Sequence, residues 1–164
     1  MSWTHRVRIA DVTVPFAASP EVAFAYLVDP GTRHEWQSSL RRVADLAPVG
    51  QRPGDTGTSW TDITLVPWVH PRLEVVECAP PRRWREIGRW WLVDASLSLA
   101  VESGSDGRTH VRAQAFLTVP ALLAPPVVAL KTLAPFALRA DMRAAAAAVD
   151  GEGRRVVTSD QPRG

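Results

Sequence analysis

From Arg6 to Val14 apolar and polar side chains alternate: Val7 and Ile9 stand against Arg8 and Ala10, and Val12 and Val14 continue the run. A period of two is that of a half-buried strand, and Pro15, which lacks a backbone donor, ends it or places it at an edge. Ser19-Pro20-Glu21 follows, with a hydroxyl to cap free N–H groups, a proline tolerated in a first turn and an acid at the positive helix end. A helix is predicted from there, with Ala23, Tyr26 and Leu27 at i, i+3 and i+4. Asp29-Pro30 repeats the capping logic and predicts a second short helix toward Trp36.

Between Leu40 and Val119 the pattern becomes short runs rich in Val, Leu, Thr and Trp. They are separated by Pro48 to Gly54, Pro67 to Pro71, Pro80-Pro81 and Ser103 to Gly107, which read as hairpin turns in an antiparallel meander of five or six strands. In the last run Val111, Ala113, Ala115, Leu117 and Val119 alternate with more polar residues, so one sheet face needs a cover. The final helical segment supplies it. At about 100° per residue, Leu133, Ala137, Ala140, Ala144 and Ala148 share one side, opposite Lys131, Arg139 and Arg143. A cover made largely of alanine brings little volume to the sheet, so space is expected between them. Pro135 is expected to bend or start this helix and Asp150-Gly151 to end it. The chain thus reads as one domain over residues 1–150 with a disordered tail over 151–164.

At 164 residues, 46% hydrophobic and 22% charged, the composition is that of one ordinary globular domain. The net charge of +2 implies no basic face, so nucleic acid is not an expected partner. Arginine outnumbers lysine eighteen to one, which carries no function by itself. A single cysteine, Cys78, excludes an internal disulfide and sits in an apolar run as a small hydrophobe; a cytoplasmic location is expected. The start of the chain lacks the apolar core of a secretory signal. The most apolar stretch, Val119 to Leu138, is broken by Pro120, Pro125, Pro126, Lys131 and Pro135 and does not read as a membrane span, although peripheral membrane contact stays open. Oligomeric state is not legible.

Strand, two short helices, a long meander and a C-terminal helix is the order of the helix-grip fold, an α+β architecture in which a curved antiparallel sheet of six or seven strands wraps around the last helix. Ser19-Pro20-Glu21, Phe24, Tyr26-Leu27, Asp29-Pro30 and Trp36 resemble the first-helix signature of the START-like (SRPBCC) superfamily, in particular its polyketide cyclase/dehydrase branch. Gly54-Asp55-Thr56-Gly57-Thr58, Val75 to Pro81 with Glu77, and Gly88 are similar to the central pattern of that branch. The resemblance covers residues 5 to 149 and rests on the order and spacing of the motifs. It implies a cavity between sheet and C-terminal helix that holds lipids, polyketides, sterols, quinones or other apolar molecules.

Seven of the twelve aromatic residues are tryptophan, and five of them, Trp60, Trp68, Trp84, Trp90 and Trp91, fall in the meander. Indoles combine large apolar area with one donor and suit a pocket for a flat or greasy ligand, but they are also ordinary core filler. Alternation through Trp84 to Leu92 puts Trp84, Glu86, Gly88, Trp90 and Leu92 on one face. Glu86 on that face is either an inward carboxyl with a raised pKa or a carboxylate solvated or paired near the sheet edge. The expected ligand site is lined by Trp36, Trp60, Trp84 and Trp90, anchored by Glu86 and closed by Leu133, Ala137, Ala140 and Met142. Asp29, Arg33, His34 and Glu35 form a charged cluster that reads either as a gate at the cavity mouth or as a solvated helix surface.

His5, His34, His70 and His110 lack ligand spacing, so neither a metal nor another cofactor is expected. Asp55-Thr56-Gly57-Thr58 matches a short aspartic-protease signature, but the polar turn before it reads as a tight turn. Nucleophile elbows and phosphate-binding glycine loops are absent. The function expected is binding of a small hydrophobic or aromatic molecule. The alternatives are a cyclase or dehydratase in which Glu86 or a histidine moves protons, and a lipid or quinone carrier or protein-partner module.

Overall fold

The structure is a computed structural model and describes residues 3–159. Strand β1 (Thr4–Phe16) leads into helices α1 (Pro20–Val28) and α2 (Arg33–Trp36). Six strands follow: β2 (Leu40–Ala47), β3 (Ser59–Thr64), β4 (Arg72–Ala79), β5 (Arg83–Trp90), β6 (Val93–Ser103) and β7 (Thr109–Pro120). A 3₁₀ turn (Ala121–Leu123) then opens helix α3 (Ala124–Ser159). All seven strands pair antiparallel in one sheet, ordered β1-β7-β6-β5-β4-β3-β2. Register shifts in β1 between Arg8 and Ala10, and in β4 between Val75 and Glu77, are the extra residues that bend a strand. The sheet curves around α3 in the expected helix-grip arrangement.

The local chemistry explains the boundaries. Ser19 caps α1, its hydroxyl accepting from the Val22 N–H, with Pro20 in the first turn. Helix α2 starts later than Asp29-Pro30 suggests, because the Asp29 carboxylate accepts the Gly31 N–H and holds a turn there, leaving Thr32 as the cap position. The strand expected to run from Trp84 to Leu92 stops at Trp90: Trp91 has φ +52° and turns the chain from β5 into β6.

Helix α3 differs most from the expectation. It continues through Asp150-Gly151 to Ser159, and the tail beyond it lies outside the described residues. Its buried face is Met142, Ala145, Ala146 and Val149 with half-buried Leu138, whereas Leu133, Ala137, Ala140 and Ala144 are exposed. At about 100° per residue the two faces lie roughly 140° apart. The physical reason is that Ala144 to Ala148 present the same methyl in every direction, so the larger Leu138, Met142 and Val149 decide which side is buried. Two carboxylates fix that rotation: Asp150 accepts the N–H groups of Ala17 and Ala18, and Asp141 accepts that of Ser38.

The packed core lies between α3, α1 and the half of the sheet nearest α1. It contains Phe16, Leu27, Trp84, Leu99, Val101, Val111 and Met142. The Trp84 indole N–H donates to the Gly54 carbonyl at 3.0 Å, so its apolar burial, on the order of 4–6 kcal/mol, carries no unpaired donor. Gly54 has φ +77°, and a Cβ there would stand 2.2 Å from the Val28 carbonyl oxygen. The loop before β3 can therefore close on the end of α1 only through glycine.

Candidate functional site

Cross-strand pairing sets the inner face of the sheet in rows. One runs Val75, Glu86, Leu97, Ala115, Ala10, and its neighbour runs Leu73, Gly88, Ala95, Leu117, Val7. The next row toward α1 carries Trp84, Leu99, Ala113 and Val12 and is buried throughout. In the first two rows glycine and alanine replace larger residues at the centre of the sheet, and Ala95, Leu97, Ala115 and Leu117 are only half-buried although they face inward. From α3, Ala134 and Leu138 are half-buried as well. Cover of the concave face is thus incomplete over β6 and β7 toward the β5–β6 turn, while Leu73, Val75, Glu86 and Gly88 on the same rows are buried.

A buried ionic cluster stands at the boundary between the packed and the open half. Arg33, the first residue of α2, is 4% exposed and reaches into the sheet. Its Nη1 donates to Glu86 Oε2 at 2.9 Å and its Nη2 to Glu86 Oε1 at 2.5 Å, while Nε donates to Asp62 Oδ2 at 3.3 Å. The other Asp62 oxygen accepts the Trp60 indole N–H at 2.9 Å. The guanidinium carbon lies 5.4 Å from the Trp60 ring and 5.8 Å from the Trp36 ring. The Trp36 indole N–H, also buried, has no acceptor among the described residues.

Two carboxylates against one guanidinium leave one negative charge in excess. Burial pushes the Glu86 carboxyl up to about 7; Arg33 pulls it down and Asp62 raises it further. Burial disfavours the Arg33 charge, but the attraction of Glu86 and Asp62 outweighs that and raises its pKa. At neutral pH the cluster thus gains or loses a proton at Glu86 with Arg33 charged throughout.

The expected site residues separate on this geometry. Glu86 faces inward as one of the two readings has it, and a partner from α2 meets it there. Trp36 and Trp60 flank Arg33. Trp84 is fully buried core with its donor already spent, so it packs the closed half. Trp90 is half-buried, and its indole N–H donates to the Trp68 carbonyl at 3.0 Å. Met142 is fully buried against the core, whereas Leu133, Ala137 and Ala140 face away from the sheet and do not close a space between sheet and helix. The charged cluster divides too: Arg33 turns inward, His34 is exposed, and Glu35 accepts the Tyr26 hydroxyl at 2.8 Å on the surface. Asp55 holds a turn, one oxygen accepting the N–H groups of Gln51 and Arg52. The sequence points to Arg33 only as one of four charges in a gate or a solvated helix surface and does not point to Asp62, and no local signal marks either as a partner in the Glu86 cluster: they come together from positions far apart in the chain.

Cavities of substantial size lie outside this interior. One of about 340 Å³ is bounded by Phe24 and Val28 of α1, Pro53 and Asp55, and Cys78 with Pro80. Another, of about 530 Å³, sits beside the β1 bulge between Arg6, Arg8, Phe116 and Pro135. Among the described residues no cluster of His, Cys, Asp and Glu has metal-binding geometry, and no helix is long and apolar enough to cross a membrane.

Solved structures share this architecture. Norcoclaurine synthase from Thalictrum flavum superposes with a TM-score of 0.66 at 13% identity, over 91% of this chain and 96% of that one. The di-domain ARO/CYC StfQ of the steffimycin biosynthetic pathway gives a TM-score of 0.71 at 12% identity, and the alignment covers 92% of this chain and 52% of that one, so this chain spans about half of it. A conserved protein from Geobacillus kaustophilus gives 0.63 at 13% identity, over 85% and 93%. At these identities the likeness is one of fold. No curated protein sequence matches the chain. Residues 8–152 match the family described as polyketide cyclase / dehydrase and lipid transport, and with that match spanning nearly all of the sheet and α3, the chain belongs to this family.

Proposed function

We propose that this protein binds a small hydrophobic or aromatic molecule against the open half of its inner sheet face. The ligand would lie over Gly88, Ala95, Leu97, Ala115 and Leu117, under Leu138, with a polar group directed at the Arg33–Glu86 pair. The observation that carries this reading is the half-burial of Ala95, Leu97, Ala115 and Leu117, inward residues of β6 and β7, beside a fully buried ionic cluster: apolar surface with one group that can both accept and donate a proton. The family and the solved neighbours support a ligand-binding fold and leave the ligand open.

The test is titration of the protein with an anthraquinone, a fused-ring phenol and a fatty acid, read by tryptophan quenching, alongside mass spectrometry of molecules that copurify. Saturable binding is expected, weakened at least about tenfold in Ala95→Leu/Ala115→Leu, which fills the open half. Absence of binding by all three probes, or binding that the filled variant leaves unchanged, overturns the site.

A second reading is favoured by the Glu86 carboxyl alone. A carboxyl near 7 suits proton transfer, so a cyclase- or dehydratase-like activity is the enzymatic alternative. Turnover of an aromatic polyketide mimic that is lost in Glu86→Gln with binding retained would select it over binding alone.

A further inference from the structure

Apolar side chains are exposed at one end of the molecule far beyond what the rest of the surface needs. The β3–β4 loop, the β5–β6 turn and the passage from β7 into the 3₁₀ turn all emerge there, because Thr118 pairs with Asp94, Asp94 with Arg89 and Arg89 with Arg72. Trp3 joins them, its carbonyl accepting the Ala121 N–H. Trp68 is 83% exposed, Trp91 81%, Trp3 79% and Leu122 88%, with Val66 and Leu92 exposed beside them.

These indoles are held out. Trp68 and Trp91 have φ +67° and +52°, a left-handed conformation that costs a bulky residue on the order of 1 kcal/mol or more. The two tips are tied together, since the Trp90 N–H donates to the Trp68 carbonyl and the Trp90 and Trp91 rings meet edge-on at 6.5 Å. The folded chain leaves both tip rings largely exposed, and exposed apolar surface of this kind marks a binding site.

Immediately behind the tips, one cross-strand row on the outer face reads Arg6, Thr118, Asp94, Arg89, Arg72. Three arginines face one acid, and all four charged residues are exposed. An apolar crown with a basic collar one row behind it repeats the layering of a lipid surface, where indoles sit at the boundary between acyl chains and headgroups and cations meet lipid phosphates. A second copy of this chain would instead bring two collars of like charge together.

We infer that this end of the protein docks on an anionic membrane surface, with Trp68 and Trp91 inserted at the interface and Arg6, Arg72 and Arg89 against the headgroups. The inference stands apart from the proposed ligand site, because docking needs no occupant in the sheet.

The experiment is cosedimentation of the full chain with vesicles of phosphatidylcholine mixed with phosphatidylglycerol, against vesicles of phosphatidylcholine alone. The wild type is expected to prefer the mixed vesicles, with a blue-shifted tryptophan emission. Trp68→Ala/Trp91→Ala should weaken partitioning by about tenfold or more. Arg72→Gln/Arg89→Gln should weaken it roughly fivefold per arginine on the mixed vesicles only. Leu92→Ser/Leu122→Ser repeats the test without touching the left-handed positions, and circular dichroism confirms that each variant is folded. A wild type that binds neither vesicle at low salt overturns the inference. So does binding that both apolar double variants leave intact, or a wild-type dimer in solution that Trp68→Ala/Trp91→Ala dissolves.

Discussion

Arg33 and Glu86 face each other fork to fork in the middle of the protein, with both terminal guanidinium nitrogens on both carboxylate oxygens at 2.9 and 2.5 Å. The pair joins α2 to the centre of the sheet, and Asp62 accepts the remaining guanidinium donor. Taking three charges out of water is costly, so the cluster holds only while each charge has its partner. Arg33→Met leaves two carboxylates buried together and is expected to destabilise the fold by about 3–5 kcal/mol. Arg33→Lys keeps the charge but cannot span both Glu86 oxygens and Asp62 at once, and should recover part of that loss. Urea unfolding of the three proteins at neutral pH measures both; a loss under about 1 kcal/mol in Arg33→Met would show that the cluster does not hold α2 on the sheet.

Glu86 predicts a pH dependence with a definite sign. Burial raises its folded pKa to about 7 from the ordinary 4.5, so the native state keeps this proton where the unfolded chain has released it. Stability from Glu86 is therefore full below about pH 4.5 and is lost as pH rises toward 7, by about 3 kcal/mol in total. Glu86→Gln cannot release a proton and should lack that slope. The unfolding free energy of wild type minus variant, followed from pH 4.5 to 8, is the measurement, and a difference that is flat across this window contradicts the assignment.

The architecture was readable because turns and strand alternation are local. Ser19, the Pro/Gly clusters and the period-two run of β7 each act within a few residues, and they mark α1, the hairpins and the last strand where the structure has them. The inward direction of Glu86 was readable as one of two registers, but its partner was not, since Arg33 and Asp62 reach it only through the folded sheet. The buried face of α3 is illegible in the sequence for a different reason: five consecutive alanines carry no periodicity, and only the bulk of Leu138, Met142 and Val149 sets the rotation. Trp68 falls inside the Pro67 to Pro71 separator and sits at a turn as that predicts, whereas Trp91 continues the alternating run from Trp84 and occupies a left-handed turn position that alternation cannot distinguish from strand.

The corrected helix face gives its own prediction. Ala140→Lys and Ala144→Lys replace exposed methyls and should change stability by less than about 0.5 kcal/mol. Ala145→Lys forces an ammonium into a fully buried position and should abolish folding or lower the thermal midpoint drastically. Asp150→Ala removes the acceptor of the Ala17 and Ala18 N–H groups and should cost about 1–2 kcal/mol. Thermal unfolding of the four variants ranks them; an Ala144→Lys that unfolds as readily as Ala145→Lys would restore the alanine face as the buried one.

Gly54 offers the sharpest separation of two backbone effects. Its φ of +77° is a region that a side chain disfavours, and a Cβ placed there meets the Val28 carbonyl oxygen at 2.2 Å and the Val28 carbonyl carbon at 3.0 Å. Both contacts are with backbone at the end of α1, so no side-chain rotation relieves them. The Gly54 carbonyl is also the acceptor for the Trp84 indole, so a shift of the loop leaves a buried donor unpaired in the core. Gly107 shares the conformation, with φ +75°, but a Cβ there meets nothing within 4 Å. Gly107→Ala should therefore show the conformational cost alone, about 1 kcal/mol. Gly54→Ala adds the clash and the lost acceptor and should cost about 3 kcal/mol or more. Paired denaturant titrations give the difference directly. Equal costs in the two alanine variants would mean that the loop before β3 yields freely, and that Gly54 is not what seats it against α1 and Trp84.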